Sequence, residues 1–531
     1  MKKASIQLLL LLQVFSAVAQ IRVTDIDTAG SSAPAYLRAI GNQLFFSANS
    51  ASLGIEPYVL DTAGNVQLIG DIRPSGNSRA FGFTKLNSVV CFLASPSNGN
   101  TELYRYNSGT LHKVNAFGAQ NTYRTNDDEQ LTNYNNQLVF AYDDNSVTFG
   151  EELFKYDGFS SSIVGIQNIN TGFFGSFPSD FIEMNNVLYF SALTQSNGLE
   201  IWSYNGGTAS RRTDIVPGSA NGLPSTSGIL TPRFKLFQNE LYFAGNTGTN
   251  GLVALHRYNG SGAAQLIPIN NKKFKQLHSF YEVNNKLVFT GLDSNFHQQL
   301  YTYDGVNPVV AVSDTTIGQA IKFKDRLLFI RTDSINGYEL WEYDGITRPE
   351  LVSDINPGAA SSISRSSFMK KKRYAVLDGL FYFTADNGFD GPELYAYDGT
   401  STPWLVSDVN PGSEGSNPSD FEVFNNKLYF AADDGIHGAE IWKLNPIQVS
   451  VEEQTAVQFK MYPNPAQNII QIDSYQEIDK LEIVDIMGRS FLQIENPGRK
   501  VDISHVKNGS YYLSVYSKGR RKGSKLLIIN K

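Results

Sequence analysis

The chain has 531 residues, 41 % apolar, 12 % aromatic and only 18 % charged, a length that suits two or three ordinary domains, or one large repeat domain with a small companion. Its formal charge of −7 is uneven: residues 20–458 carry 30 Lys and Arg against 44 Asp and Glu, whereas residues 459–531 carry 12 against 7. The acidic main part argues against nucleic acid and anionic membranes as partners, and the single cysteine, Cys91, excludes an internal disulfide.

The chain opens as a targeting segment. Lys2 and Lys3 precede the apolar run Leu8–Leu12, and Ala17-Val18-Ala19 supplies small residues for cleavage. The run is too short to span a bilayer, so residues 1–19 read as an export signal cut before Gln20. No later stretch approaches a membrane span, and the mature protein is expected to be soluble or attached to a surface.

Between Val23 and Asn445 a segment of roughly 48 residues is written nine times. Its anchor is an apolar-aromatic triplet, such as Leu44-Phe45-Phe46, Leu188-Tyr189-Phe190, Phe381-Tyr382-Phe383 and Leu428-Tyr429-Phe430. Three apolar residues in a row put apolar side chains on both faces of a strand, so both faces must be covered. In the copy from Asp354 to Val406, strands are predicted at Tyr374–Leu377, around the triplet, at Glu393–Tyr397 and at Trp404–Asp408. The turns are Asp378-Gly379 and Asp398-Gly399; sister copies place Asn425-Asn426, Asn284-Asn285 or Asn185-Asn186 at the first of them. These residues tolerate positive φ and suit tight hairpins.

Four antiparallel strands per repeat form the blade of a β-propeller. The last copy stops after its third strand, while the mature chain begins with Ile21-Arg22-Val23-Thr24-Asp25-Ile26, a match for the fourth strand of other copies. The expected fold is therefore all-β: one large propeller over residues 20–445, of eight or nine blades, closed by the N-terminal strand. Tight turns fall on one face and longer loops on the other, where binding is usual. The longest loops lie near Asn121–Gln130, Ser219–Arg233 and Ser361–Arg373.

A glutamate recurs at Glu56, Glu102, Glu152, Glu200, Glu339, Glu393 and Glu440. A catalytic acid is needed once, so a residue present in seven copies is expected to accept hydrogen bonds near the start of strand three. The repeated Asp71, Asp214, Asp354 and Asp408 are read the same way. Asp433-Asp434-Gly435 and Asp386-Asn387-Gly388 could offer oxygens to Ca²⁺ but lack the spacing of a calcium loop, so no cofactor is assigned and calcium stays open. The six histidines show no zinc spacing, and neither a phosphate loop nor a nucleophile elbow is present. Lys370-Lys371-Lys372-Arg373 is read as a solvated loop. Two copies replace the glutamate, with Ala254 and Gln299, and the irregular stretch Ser219–Gln299 is the expected ligand-facing region.

The repeats resemble the ELWxxDGT family of bacterial surface and secreted proteins. Glu339-Leu340-Trp341-Glu342-Tyr343-Asp344-Gly345 carries the motif, with close variants at Glu393 to Asp398-Gly399-Thr400 and at Glu152 to Asp157-Gly158, and the clearest copy of the repeat, from Phe421, ends in Glu440-Ile441-Trp442. The resemblance covers about four fifths of the chain and implies an exported, propeller-like protein without a shared catalytic activity.

Residues 446–458 read as a polar linker. Residues 459–531 read as a small Ig-like β-sandwich and resemble the type A C-terminal sorting domain of the type IX secretion system of Bacteroidetes. The matching residues are Tyr462-Pro463-Asn464-Pro465, then Gly488-Arg489, then Gly509 and Tyr511, then Lys525 in the closing strand. The resemblance implies export through the periplasm by that machinery, then removal of the tail and release or surface attachment of the rest.

The expected function is a non-catalytic binding or adhesion protein at the cell surface or outside it, with a glycan or protein ligand. The alternative is a secreted polysaccharide-degrading hydrolase or lyase on the same scaffold. That would need a carboxylate pair at one place on the ring, and none is evident in the sequence.

Overall fold

The computed structural model describes residues 20–98, 100–114, 131–143, 150–171, 174–225, 233–249, 251–270, 272–313, 320–333, 335–364, 373–444, 459–474, 478–484, 490–517 and 520–531. The chain divides into two compact units, Met1–Ile447 and Gln448–Lys531. The export signal, the linker, the basic run Lys370–Lys372, Gly488, Arg489 and most of the three longest loops lie outside the described residues.

In the first unit each copy of the repeat forms four antiparallel strands. The ninth copy shows why. Ser419–Phe424 turns through Asn425 (φ 47°) and Asn426 (φ 55°) into Lys427–Asp433. Both turn residues take left-handed backbone, which asparagine tolerates. Along the second strand every residue from Leu428 to Ala432 is buried. Leu428, Phe430 and Ala432 pack against the eighth repeat, while Tyr429 faces the first. The triplet is thus one strand serving two cores, and Cys91 sits inside such a triplet, fully buried.

Among the described residues nine apolar cores lie between the repeats of this unit. Eight join each repeat to the next in chain order. The ninth joins the last to the first through Phe424, Tyr429 and Ile441 against Leu44, Phe46 and Leu60. An N-terminal segment also belongs to the last repeat: Gln20–Arg22 pairs antiparallel with Ala439–Leu444, placing Gln20 opposite Leu444 and Arg22 opposite Trp442. The fifth and sixth repeats merge into one eight-stranded sheet through the pair Val253 and Phe274. The fifth repeat's fourth strand has shrunk to Gln265–Leu266, which accounts for the irregular sequence there.

The first strands of several repeats carry a feature that the sequence reading missed. In five repeats the register slips near the strand start. Tyr36, Gly82, Asp180, Ser279 and Asp420 there take φ between 53° and 68°. These bulges re-aim the side chain at the bulge. Asp180 receives Arg233 of the neighbouring repeat at 2.9 Å, and Asp420 accepts the Tyr36 amide at 2.8 Å.

In the second unit Phe459–Tyr462, Ile469–Ser474 and Lys500–Asp502 form one sheet. Lys480–Val484, Ser490–Glu495, Gly509–Ser517 and Arg520–Ile529 form another. One core unites them, with Phe459, Ile470 and Val501 from the first meeting Leu481, Leu513 and Leu527 from the second. No helix among the described residues is long and apolar enough to cross a membrane.

Candidate functional site

Successive antiparallel strands put the turns between strands one and two, and three and four, at one end of each sheet. The loops between strands two and three, with the connections to the next repeat, lie at the other. The repeated glutamate stands beneath this second end and ties its loops together. Glu393 is fully buried. Its carboxylate accepts the amides of Val409 (3.1 Å), Asn410 (3.3 Å) and Ser416 (2.7 Å) and the Ser416 hydroxyl (2.5 Å). Glu339 holds Ile355 and Ser362 in the same way, Glu152 holds Ile169, Asn170 and Ser176, and Glu56 holds Ile72 and Ser78. Burial raises the pKa of all four, against the pull of these hydrogen bonds.

Glu200 uses a threonine hydroxyl instead: Thr213 donates to it at 2.6 Å and accepts the Ile201 amide at 3.0 Å. Glu440 repeats that pattern across the chain ends, with Thr24 donating at 2.6 Å and accepting the Ile441 amide at 2.9 Å, and with the Ser32 amide at 3.2 Å. Glu102 departs from the set and pairs with Lys113 at 2.5 Å. Where the glutamate is replaced, Ala254 is buried and Gln299 accepts Lys272 Nζ and the Tyr301 hydroxyl. The remaining motif residues lie where these strands pack: Leu340 and Trp341 are buried, and Trp442 Nε1 donates to the Ala432 carbonyl at 3.0 Å.

At the opposite end the Asp-Gly turns interlock neighbouring repeats. Asn284 donates to the Asp344 carbonyl, Gln238 to that of Asp304 and Lys324 to that of Asp398. Gly345 sits at φ 79°, and a Cβ there would lie 2.9 Å from Val283, so both backbone and neighbour require glycine. Asp398 Oδ1 accepts the Thr400 and Ser401 amides at 2.8 and 2.7 Å. Burial alone would raise its pKa, but the bonds from Ser401 and Thr400 outweigh that and bring it down to about 2. Its stabilising contribution is full above the ordinary value of 3.8 and is lost as pH falls through about 2. Asp398→Asn is expected to melt below the wild type above pH 3.8, with the gap closing as pH approaches about 2; thermal melts across that range test it.

The loop end presents exposed apolar side chains at matching places in three successive repeats: Ile335, Phe389 and Ile436, 72 %, 77 % and 82 % exposed. Each stands two residues after an Asx side chain that captures its amide. Asp333 Oδ1 accepts the amides of Ile335 and Asn336, Asn387 Oδ1 those of Phe389 and Asp390, and Asp434 Oδ1 those of Ile436 and His437. In the sixth repeat Phe296 is also exposed, but the Lys275 ammonium covers its ring. The sequence reading took the Asp and Asn of these loops as turn formers and overlooked the apolar residue they hold. Its signal was there, an apolar residue two places after Asx in three consecutive copies. Among the described residues no three His, Cys, Asp or Glu side chains are grouped to hold a metal ion.

In the second unit the Tyr462 hydroxyl donates to Asp473 at 2.7 Å, and Asn464 Oδ1 accepts the Ile528 amide at 2.8 Å, fastening the first turn to the last strand. Gly509 pairs with Ile529, Tyr511 with Leu527, and Lys525 with Leu513. The Lys525 ammonium lies over the Phe459 ring.

Residues 460–530 match the family model described as the secretion system C-terminal sorting domain. The tail is thus a sorting domain of the type IX system, which implies engagement of that machinery and export to the cell surface or the extracellular space. No curated protein matches the chain. Among solved structures it is similar to a computationally designed protein, Ika8, at 12 % identity, covering 71 % of this chain and 96 % of that one with a TM-score of 0.37. It is similar to PorZ, a surface component of the type IX secretion system of Porphyromonas gingivalis, at 12 % identity over 94 % of this chain and 86 % of that one, TM-score 0.19. It is also similar to a GH74 enzyme of Niastella koreensis, at 13 % identity over 92 % and 78 %, TM-score 0.31. At such scores none of these carries an argument about function.

Proposed function

We propose that the first unit is a single nine-bladed β-propeller of ELWxxDGT type, and that it serves as a non-catalytic binding protein delivered to the cell surface or beyond by its Ig-like C-terminal sorting domain. The nine inter-repeat cores, the last of which returns to the first repeat, support one closed ring. The pairing of Gln20–Arg22 with the ninth repeat supports its closure by the chain start. The observation that carries the functional reading is the repeated glutamate. Seven copies spend it on loop or strand anchoring rather than on a solvent-facing acid, which leaves a rigid scaffold with a variable loop face.

Removal of residues 459–531 is expected to leave the remainder in the periplasm, read by cell fractionation. The protein recovered from outside the cell is then tested against polysaccharides and peptides, with and without Ca²⁺, while released sugar is assayed. Retention without turnover supports the reading; sugar release would replace it with a secreted glycan-degrading activity.

A further inference from the structure

Every repeat sets a phenylalanine of its second strand opposite a ring of its third. In eight repeats that ring is Phe, Tyr or Trp, as where Phe46 meets Tyr58, Phe289 meets Tyr301 and Phe430 meets Trp442. In the fifth repeat Phe243 meets His256. The histidine is stacked as its sisters are: the two rings lie 5.8 Å apart and 16° from parallel, against 5.8 Å and 18° for Phe46 and Tyr58. A side chain that titrates near neutral pH thus fills an aromatic place in a core.

His256 is only 7 % exposed. Its Nδ1 lies 3.0 Å from the Ala254 carbonyl, which can only accept, so Nδ1 carries the hydrogen of the neutral ring and acid protonates Nε2. The ring rests on bare backbone at Gly245, where a Cβ would lie 2.5 Å from Nδ1. Alternate residues of a strand share a face, so the neighbour of this ring on its own strand is Ala254, where seven sister copies have glutamate. In those copies the carboxylate acts on the ring two places on, as Glu56 does on Tyr58, Glu102 on Tyr104 and Glu393 on Tyr395. The fifth repeat therefore lacks the charge that would stabilise an imidazolium there.

The charged and titratable groups of the elements packed around this strand are committed elsewhere. On strand two, Glu240 accepts from Arg257 and from Tyr242. In the fourth repeat Glu200 holds Thr213 and Ile215, Arg212 donates to Ser203, Arg211 pairs with Asp214, and Asp180 pairs with Arg233 of the fifth. Tyr189 and Tyr258 lie in the core that these two repeats share. On the sixth repeat's first strand, which meets Val253, Lys275 covers Phe296 and His278 bonds Ser279. None of these groups pairs with His256. Burial holds the His256 pKa below its ordinary 6.5, against the opposite pull of the Ala254 bond. The fifth repeat is also weakly fastened, with no glutamate beneath its loop and a fourth strand of only Gln265–Leu266, so opening it locally costs less than opening a sister repeat.

We propose that His256 makes the fifth repeat an acid-sensitive joint: on taking a proton its ring leaves the stack on Phe243, and strands Glu240–Asn246 and Val253–Tyr258 loosen from the fourth repeat. The stability contributed by the neutral ring is full above pH 6.5 and is lost as pH falls through the lower folded value. The buried glutamates of other repeats respond in the opposite sense, since burial raises their pKa, so mild acid does not loosen the repeats they hold.

The test follows amide hydrogen exchange of the exported protein at pH 7.5 and pH 5.5, with rates corrected for the pH dependence of the exchange chemistry. An open form that alone takes the proton is favoured by about tenfold at pH 5.5, one pH unit below 6.5. Protection over residues 241–258 is therefore expected to fall several-fold, up to about tenfold, while residues 381–397 of the eighth repeat keep theirs. His256→Tyr, which restores a sister residue, is expected to abolish the fall. Equal melting temperatures at pH 7.5 show that this variant is folded. Should it melt lower, His256→Phe is read in its place, and should both melt lower, the pattern in the wild type decides. An unchanged fall in the folded variant, a fall shared by residues 381–397, or no fall at all overturns the proposal. So does a fall removed equally by His278→Gln, a change at the half-buried histidine of the same merged sheet.

Discussion

Replacing Glu393 with alanine is expected to destabilise the first unit by about 3 kcal/mol, the scale set when buried donors lose a charged acceptor. The side chain is fully buried, so water does not reach the vacated place. The Val409, Asn410 and Ser416 amides and the Ser416 hydroxyl all lose their partner together. Glu393→Gln is expected to cost less, because the amide oxygen still accepts from Ser416 and Asn410 while its NH₂ faces the Val409 amide. The two variants also differ with pH. Burial holds the Glu393 pKa above its ordinary value of 4.5, so the folded state binds this proton more tightly than the unfolded state does. The stability from that proton is full below pH 4.5 and is lost as pH rises through the folded value. Glutamine has no such dependence, so the gap between wild type and Glu393→Gln should be widest below pH 4.5 and narrow above it. Denaturant midpoints at several pH values measure both effects. Glu414→Ala, at an exposed connection residue, is the control and should change stability by less than about 0.5 kcal/mol. A Glu393→Ala variant as stable as that control would remove the glutamate from the frame of the repeat.

Much of the fold was legible because its signals are local. Asn425-Asn426 and Asp378-Gly379 announce left-handed turns, and all four residues take positive φ. The Phe381-Tyr382-Phe383 triplet announces a strand with two covered faces, and its side chains divide between the cores of the seventh and ninth repeats. Other parts were hidden because they join residues distant in sequence or belong to no one repeat. In four repeats the serine that donates to the glutamate lies 22 to 24 residues downstream, across a connection of variable length. The interlock of Asn284 with Asp344 spans 60 residues and explains the Asp-Gly turns beyond their own geometry. The bulges at Asp180 and Asp420 leave no mark in composition, since the same place holds Tyr36 in one copy and Gly82 in another. The apolar tips escaped for a different reason: periodicity finds residues that are buried, and these are held out in water. In the tail, the order of Pro, Gly and Tyr landmarks sufficed to indicate its class, while the fastening of Asn464 to Ile528 needed coordinates.

Deleting residues 20–26, with residues 1–19 joined directly to Asp27, is expected to have a larger effect than any single substitution, on the order of 5 kcal/mol. The deletion strips Gln20–Arg22 from Ala439–Leu444 and leaves a bare sheet edge, which invites pairing with another chain. It also takes Thr24 from Glu440 and from the Ile441 amide, leaving a fully buried carboxylate short of its best donor. The Thr24 arrangement copies that of Thr213 with Glu200 and Ile201 inside the fourth repeat. The chain start thus performs in the ninth repeat what an unbroken chain performs in the fourth. The lost strand is separate in sequence from the strand it completes, so the defect should be repairable from outside. A synthetic peptide of residues 20–26 brings back the strand and Thr24, while the Ser32 amide that Glu440 also accepts remains in the truncated protein. Size-exclusion chromatography should find the truncated protein self-associated, its melting temperature lowered, and both restored by the peptide but not by one with Thr24→Val. A truncated protein that stays monomeric and melts with the wild type would show that the nine repeats hold together without their closing strand.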